Sequence, residues 1–348
     1  MTAILEKKGA IASIIINRPE KLNILNAETI STLKEYFLQC EEDPEIQIIL
    51  LTSQGERAFS AGGDVKEVYY ASKEQGHYAY LNFDHEFELN KIIMNSSKII
   101  VSHLKGIAMG GGVAITLGGD FSLVDETTDF ALPEIDLGMI PDVGLGYYIS
   151  KLDQTHALYL SLLGRTIHGS DAVKFGFASH YIAHKSWPDI QEKILNLSLE
   201  GKSKEDSKKE ILEIIEDYSL PLEKTPLQKE IEEMDKHFFQ SSLKEILASL
   251  EKDPSPLAKK VLEEIRHKCP IASNIAFLKY FAGKNWNREE TFEHDRRILA
   301  YCYEEGNMIE GIEATLIRKD KANFPGSIEE INLEEMKELV YGKGTLAK

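Results

Sequence analysis

A chain of 348 residues, 43% hydrophobic and 28% charged, can bury one large core and a smaller second one, because single cores stop growing near about 250 to 300 residues. Its 57 acidic against 40 basic residues leave a formal net charge of −17, which repels DNA, RNA and anionic lipid, although a few fixed lysines and oriented backbone N–H groups can still hold an anionic small molecule. Cys40, Cys269 and Cys302 lie far apart, as in a reducing compartment rather than a disulfide or zinc framework, and the charged N-terminus and lack of an apolar run of about 18 residues predict a cytoplasmic protein with no membrane partner.

Residues 10–17 (AIASIIIN) read as a strand, 27–40 as a helix, 46–52 (IQIILLT) as a buried strand and 98–104 (KIIVSHL) as another, an α/β rhythm. A strand followed by a glycine cluster occurs twice, at 46–64 ending AFSAGGD and at 98–112 ending IAMGGG, about 48 residues apart. Stacked strand-strand-helix turns give such a period. Beyond about residue 187 the texture changes to charge-rich helical patterns at 207–217, 227–239 and 256–268, broken at Asp253-Pro254 and Cys269-Pro270. The chain thus divides into an α/β part, 1–186, and a helical part, 187–348. The charged run KSKEDSKKE (202–210) reads as a solvated helix or loop, and EGKS (200–203) lacks the first glycine and the strand of a P-loop.

Three places carry candidate chemistry. In IAMGGGVAITLGGD (107–120), Gly110, Gly111 and Gly112 stand between a strand and an apolar helical pattern, where uncovered N–H groups at a helix start suit an oxyanion. AFSAGGD (58–64) can present a second N–H at Gly63, and two donors on one carbonyl oxygen stabilise an enolate or a tetrahedral adduct. A plain tight turn explains either cluster taken singly. The third place, FALPEIDLGMIPDVGLGYY (130–148), sets Glu134 and Asp142 after Pro133 and Pro141 in apolar surroundings, which raise a carboxyl's proton affinity toward values useful in proton transfer. Asp136 is the decoy there. His85 and Glu88 lack a third nearby ligand for a metal, and no GxSxG elbow is present.

Taken together, INRPEKLNILN (16–26), AFSAGGDVK (58–66), IAMGGGVA (107–114), the PE at 133–134 and IEGIEATLIRKDKANFPG (309–326) resemble the crotonase (enoyl-CoA hydratase/isomerase) superfamily in content and order, over most of the chain. The resemblance implies an α/β crotonase spiral of strand-strand-helix turns with an extended helical C-terminal part. It implies that Gly63 and Gly111 donate to the thioester carbonyl and that the loop from Ala61 to Lys66 meets the CoA nucleotide. Hydratases of the family carry a glutamate three residues after the middle glycine, where this chain has Ala114, and a small residue where it has Asp142.

That departure is similar to the family's hydrolases of short 3-hydroxyacyl-CoA thioesters, such as 3-hydroxyisobutyryl-CoA of valine degradation. By this resemblance Glu134 attacks the thioester or activates water, Asp142 assists proton transfer, and Glu86 contacts the substrate; a charged helix face would equally explain Glu86. No metal and no redox cofactor is expected, since CoA enters as part of the substrate, and Lys66 is a candidate for its phosphates. The family's trimers and hexamers imply a homo-oligomer, although the longer helical part can replace such contacts within one chain. Two rivals stay open: hydratase or isomerase action with Glu134 as sole acid-base, and a non-catalytic acyl-CoA-binding scaffold.

Overall fold

The computed structural model describes residues 1–75 and 83–342. Its strands are β1 (Ala3–Lys8), β2 (Ile11–Ile16), β3 (Ile48–Ser53), β4 (Ala58–Ser60), β5 (Ile99–Leu104), β6 (Ile107–Met109), β7 (Phe121–Val124), β8 (Asp129–Ala131), β9 (Thr166–His168) and β10 (His180–Tyr181). They form a six-stranded sheet in the order β1-β2-β3-β5-β7-β10 and a four-stranded sheet in the order β4-β6-β8-β9. Only the β1–β2 pair of the larger sheet is antiparallel; β2, β3, β5, β7 and β10 run parallel.

The connectivity makes the expected spiral visible. β3, β5 and β7 each enter the larger sheet, β4, β6 and β8 each follow into the smaller one, and a helical segment closes each turn: Val65–Gln75, Gly111–Leu117 and the 3-10 turn Pro133–Leu137. Two copies of this turn were legible as glycine clusters; the third carries the PE instead. The buried parallel strands are continuous β-branched and leucine runs, as strands covered on both faces must be. The sequence offers little sign of β1, because its end, Glu6-Lys7-Lys8, is charged. As an edge strand it keeps those residues in water.

Packing divides the chain into two compact units: Met1–Asp64, His85–Phe130 and Thr166–Glu223 in the first, and Val65–Asp84, Ala131–Arg165 and Lys224–Lys348 in the second. Texture and packing therefore divide the chain differently. Strands do end at Tyr181, yet the helices Trp187–Leu195 and Lys204–Glu216 belong to the first unit. There Ile48, Leu50, Ile99, Val101, Phe121 and Leu123, alternate residues of three strands, share a core with Trp187, Ile190, Ile194, Ile211 and Ile215. The periods of 2 and of 3 to 4 residues put each set on one face.

The second unit is helical. Pro226, Pro256 and Pro270 each open a helix at its first turn, where the missing N–H costs nothing, and Thr225, Ser242 and Ser255 cap helices with their side chains. The helix Pro270–Gly283 is buried along most of its length and the helix Arg288–Glu304 inward on one side. Among the described residues no helix is long and apolar enough to cross a membrane.

Candidate functional site

In the first unit the residues of the motif at 16–26 form a backbone frame for the first glycine cluster. Leu25 donates its N–H to Gly62 O at 2.8 Å and accepts from Asp64 N at 3.0 Å, a one-residue parallel bridge opposite Gly63. In that pattern the flanking residues make the bonds, so the N–H of Gly63 itself turns away from Leu25. Ala61 N–H bonds Leu22 O at 3.0 Å. Asn23, buried with φ +53, donates to Gln54 O and Ala58 O and accepts from Arg18 N. The sequence marked this motif but not its work, since an asparagine that ties three backbone groups looks like any turn asparagine.

The second cluster sits where β6 passes into the helix Gly111–Leu117. Gly110 is the N-cap at φ +50, and its carbonyl accepts from Val113 and Ala114. Gly111 is the first helical residue, so its N–H has no acceptor within the helix. Gly62, at φ +91, carries the chain past Met109: a Cβ there would stand 2.8 Å from Met109 O.

Glu86 joins the two clusters. It lies in the helix Asp84–Met94, where its carbonyl accepts from Asn90 Nδ2 at 3.0 Å. A Cβ built on Gly63 would stand 3.0 Å from Glu86 Oε2, and one built on Gly111 would collide with Oε1. The carboxyl thus fills the space that the missing side chains leave, and burial pushes its pKa up to about 7. The charged-helix-face reading is excluded: Glu88, two residues on, is the exposed member and pairs with Lys34.

The carboxylates at 134 and 142 belong to the second unit, on one largely buried segment. Pro133 opens the 3-10 turn Pro133–Leu137, and Glu134 O accepts from Met139 N at 3.0 Å, which closes that turn. Both Glu134 and Asp142 are 5% exposed. Asp136 pairs with Lys268 and is a structural residue. The turn at Asp142 is unusual. Val143 has φ +47 and Gly144 φ +86, and a β-branched residue in the left-handed region is a conformational outlier. The carbonyl of Pro141 accepts from Lys279 Nζ, the N–H of Gly144 donates to Asp295 Oδ2 at 2.9 Å, and Lys279 and Asp295 pair with each other. Nothing in the sequence linked Lys279 or Asp295 to this loop.

Among the remaining candidates, Ala61 is half-buried beside the first glycine cluster and Lys66 is exposed on the helix Val65–Gln75. Gly201 turns the chain at φ +72 and Ser203 caps the helix Lys204–Glu216, so EGKS is a helix start. A cluster outside these groups is His103, Asp125 and His184, both rings meeting Asp125 Oδ2 at 2.9 and 2.8 Å. Burial alone would raise the Asp125 carboxyl, yet hydrogen bonds with His103, Thr127 and His184 hold it down to about 2. With His103 stacked on Trp187, the cluster ties the end of β5 to the segments that follow β7 and β10.

The sequence pattern that defines enoyl-CoA hydratase/isomerase matches residues 11–340. The chain is 32% identical over 335 residues to the mitochondrial 3-hydroxyisobutyryl-CoA hydrolase of Xenopus laevis, covering 94% of this chain and 86% of that one. To the protein of the same name from Gallus gallus it is 30% identical over 338 residues, 95% of this chain and 86% of that one. A carnitinyl-CoA dehydratase structure from Mycobacterium thermoresistibile superposes with a TM-score of 0.86 at 26% identity, over 97% of this chain and 96% of that one. An enoyl-CoA hydratase structure from Rhodobacter sphaeroides gives 0.83, also at 26%, over 99% and 98%.

Proposed function

Because the chain belongs to the enoyl-CoA hydratase/isomerase family of acyl-CoA enzymes, we propose that it hydrolyses a short 3-hydroxyacyl-CoA thioester, with 3-hydroxyisobutyryl-CoA, an intermediate of valine degradation, as the first candidate. The observation that carries this reading is the placing of carboxylates. Ala114, which has no proton to give, stands on the helix after Gly111, while Glu134 and Asp142 are both present and buried on one segment. Hydration delivers water to a β-carbon and calls on two acid-base groups to do so. Hydrolysis delivers a nucleophile to the carbonyl carbon.

In this reading the N–H groups of Gly63 and Gly111 donate to the thioester carbonyl oxygen as it gains negative charge. Glu134 attacks the carbonyl carbon or draws the proton from the water that does. The C–S bond then breaks, the CoA sulfur leaves as a thiolate and takes up a proton, and water supplies the OH of the free acid. Asp142 handles proton transfer. Glu86, with its proton affinity near neutrality, gives a polar contact for the acyl end. The loop from Ala61 to Lys66 receives the CoA moiety, Lys66 meeting its phosphates. Donors and proton carriers are side chains or backbone and the nucleophile is Glu134 or water, so this reading calls on no metal and no redox cofactor.

The names of the two solved relatives favour a second reading, hydration or dehydration with Glu134 as sole acid-base. One assay separates the two. Incubation with 3-hydroxyisobutyryl-CoA should release free thiol, read with a thiol reagent. Loss of enoyl absorbance from crotonyl-CoA without thiol release would replace hydrolysis by hydration.

A further inference from the structure

The segment Pro141–Gly144 is held from both sides of Asp142 by groups more than 130 residues away. Lys279 Nζ donates to the carbonyl just before Asp142, and Asp295 Oδ2 accepts the N–H of Gly144, two residues after it, at 2.9 Å. The two side chains are closed into one unit by their own ion pair at 2.5 Å, with side-chain exposures of 6% and 0%. The neighbouring glycines are part of the same fit. A Cβ on Gly146 would stand 2.7 Å from Lys279 Cε and 2.8 Å from Nζ, and one on Gly144 2.8 Å from the Phe292 ring.

A buried ion pair is a poor device for stability, because desolvating two charges offsets most of their attraction, and well-packed apolar residues often serve the fold as well. What this pair does instead is define geometry. It fixes one carbonyl and one N–H that bracket Asp142 and Val143, and Val143 stands at φ +47, a conformation that β-branched residues avoid. A turn that is unfavourable by itself persists only where its surroundings over-determine it. The rotamers open to the Asp142 side chain depend on that backbone.

We propose that Lys279 and Asp295 are positioning residues for Asp142, a charged clamp that holds the Pro141–Gly144 turn in its left-handed form so that the Asp142 carboxylate is aimed for proton transfer. The assignment rests on the hydrolase reading of Asp142. It adds two residues, from the helices Pro270–Gly283 and Arg288–Glu304, that touch no substrate and act through the turn.

The test is a double-mutant cycle in the full chain. The first arm, Asp142→Ala, is expected to lower kcat at least about a hundredfold. The second replaces the whole pair, Lys279→Met with Asp295→Leu, which removes both charges together and leaves neither buried alone. It should lower kcat at least about thirtyfold, change KM by no more than about threefold and leave CoA affinity near wild type, while the thermal midpoint falls because Pro141 O and Gly144 N–H lose these partners. The third arm joins the two. If the clamp acts through Asp142, adding Asp142→Ala to the pair variant costs less than about threefold more, where independent effects would multiply. Multiplied losses, or a folded pair variant with wild-type kcat, overturn the clamp and leave the hydrolase reading standing. Wild-type turnover by Asp142→Ala overturns the role of Asp142 and with it the clamp. Should the pair variant not fold, Asp295→Asn, which keeps the shape and an oxygen for Gly144 N–H, carries the same cycle.

Discussion

The glycine clusters of the first unit and the carboxylate segment of the second are both built to hold polar groups still, by opposite means. Gly63 and Gly111 are placed by neighbours along strands: a parallel bridge to Leu25, a helix start at the end of β6, and the short tie of Asn23. Asp142 is placed by Lys279 and Asp295, which come from helices far along the chain. A backbone N–H can be aimed by regular structure, because strand and helix fix its direction. A side-chain carboxylate on an irregular turn needs partners of its own, and in a dry interior those partners must be charged or hydrogen-bonded.

The contrast can be broken most sharply at Glu134. Glu134→Gln keeps the shape and removes the charge, and turnover should fall by about four orders of magnitude with little change in the affinity for product CoA. Thiol release near the wild-type rate would move the catalytic role away from Glu134. Next in size is Gly111→Pro, which removes the N–H at a position where a helix tolerates proline, and should cost at least about a hundredfold. Gly111→Ala is its control. Both bring a Cβ into collision with Glu86, but alanine keeps the donor, so the ratio of their rates isolates the N–H. Equal rates for the two would mean that space, not hydrogen bonding, is what Gly111 provides.

The frame around Gly63 is tested on stability, not on rate. Asn23→Ala leaves the Gln54 and Ala58 carbonyls and the Arg18 N–H without this partner, and chemical denaturation should show a loss of about 4 kcal/mol. A loss below about 1 kcal/mol would show that the frame stands without its asparagine.

The smaller of the two stability effects belongs to Glu86. Its carboxyl is raised to about 7 in the folded protein by burial, whereas in the unfolded chain it titrates near the ordinary 4.5. The folded state therefore binds the extra proton between these values, and stability from this group is full below about pH 4.5 and lost as pH rises through 7, by roughly 3 kcal/mol in all. Glu86→Gln removes that dependence. Against wild type its relative stability should rise from pH 4 to pH 8, measured by denaturation at each pH. Parallel curves for the two proteins would mean that Glu86 is ionised at neutral pH beside Gly63 and Gly111.

The sequence by itself determined the longer buried strands and most of the helices, and their order, though not the charged edge strand β1. Alternating and continuous apolar runs, proline breaks and glycine clusters are local signals, and the strands at 11–16, 48–53 and 99–104 and the helices beyond residue 204 follow from them. It also singled out the residues proposed for the chemistry, through motifs whose order along the chain is specific. Only the tertiary structure decided how those residues are held. Gly111 must lack a Cβ because Glu86, from another element, fills that space. The Asp142 turn adopts a conformation disfavoured by its own sequence because Lys279 and Asp295 over-determine it. Steric exclusion and the pairing of buried charge depend on distance in space, and neither leaves a mark on the local pattern of residues.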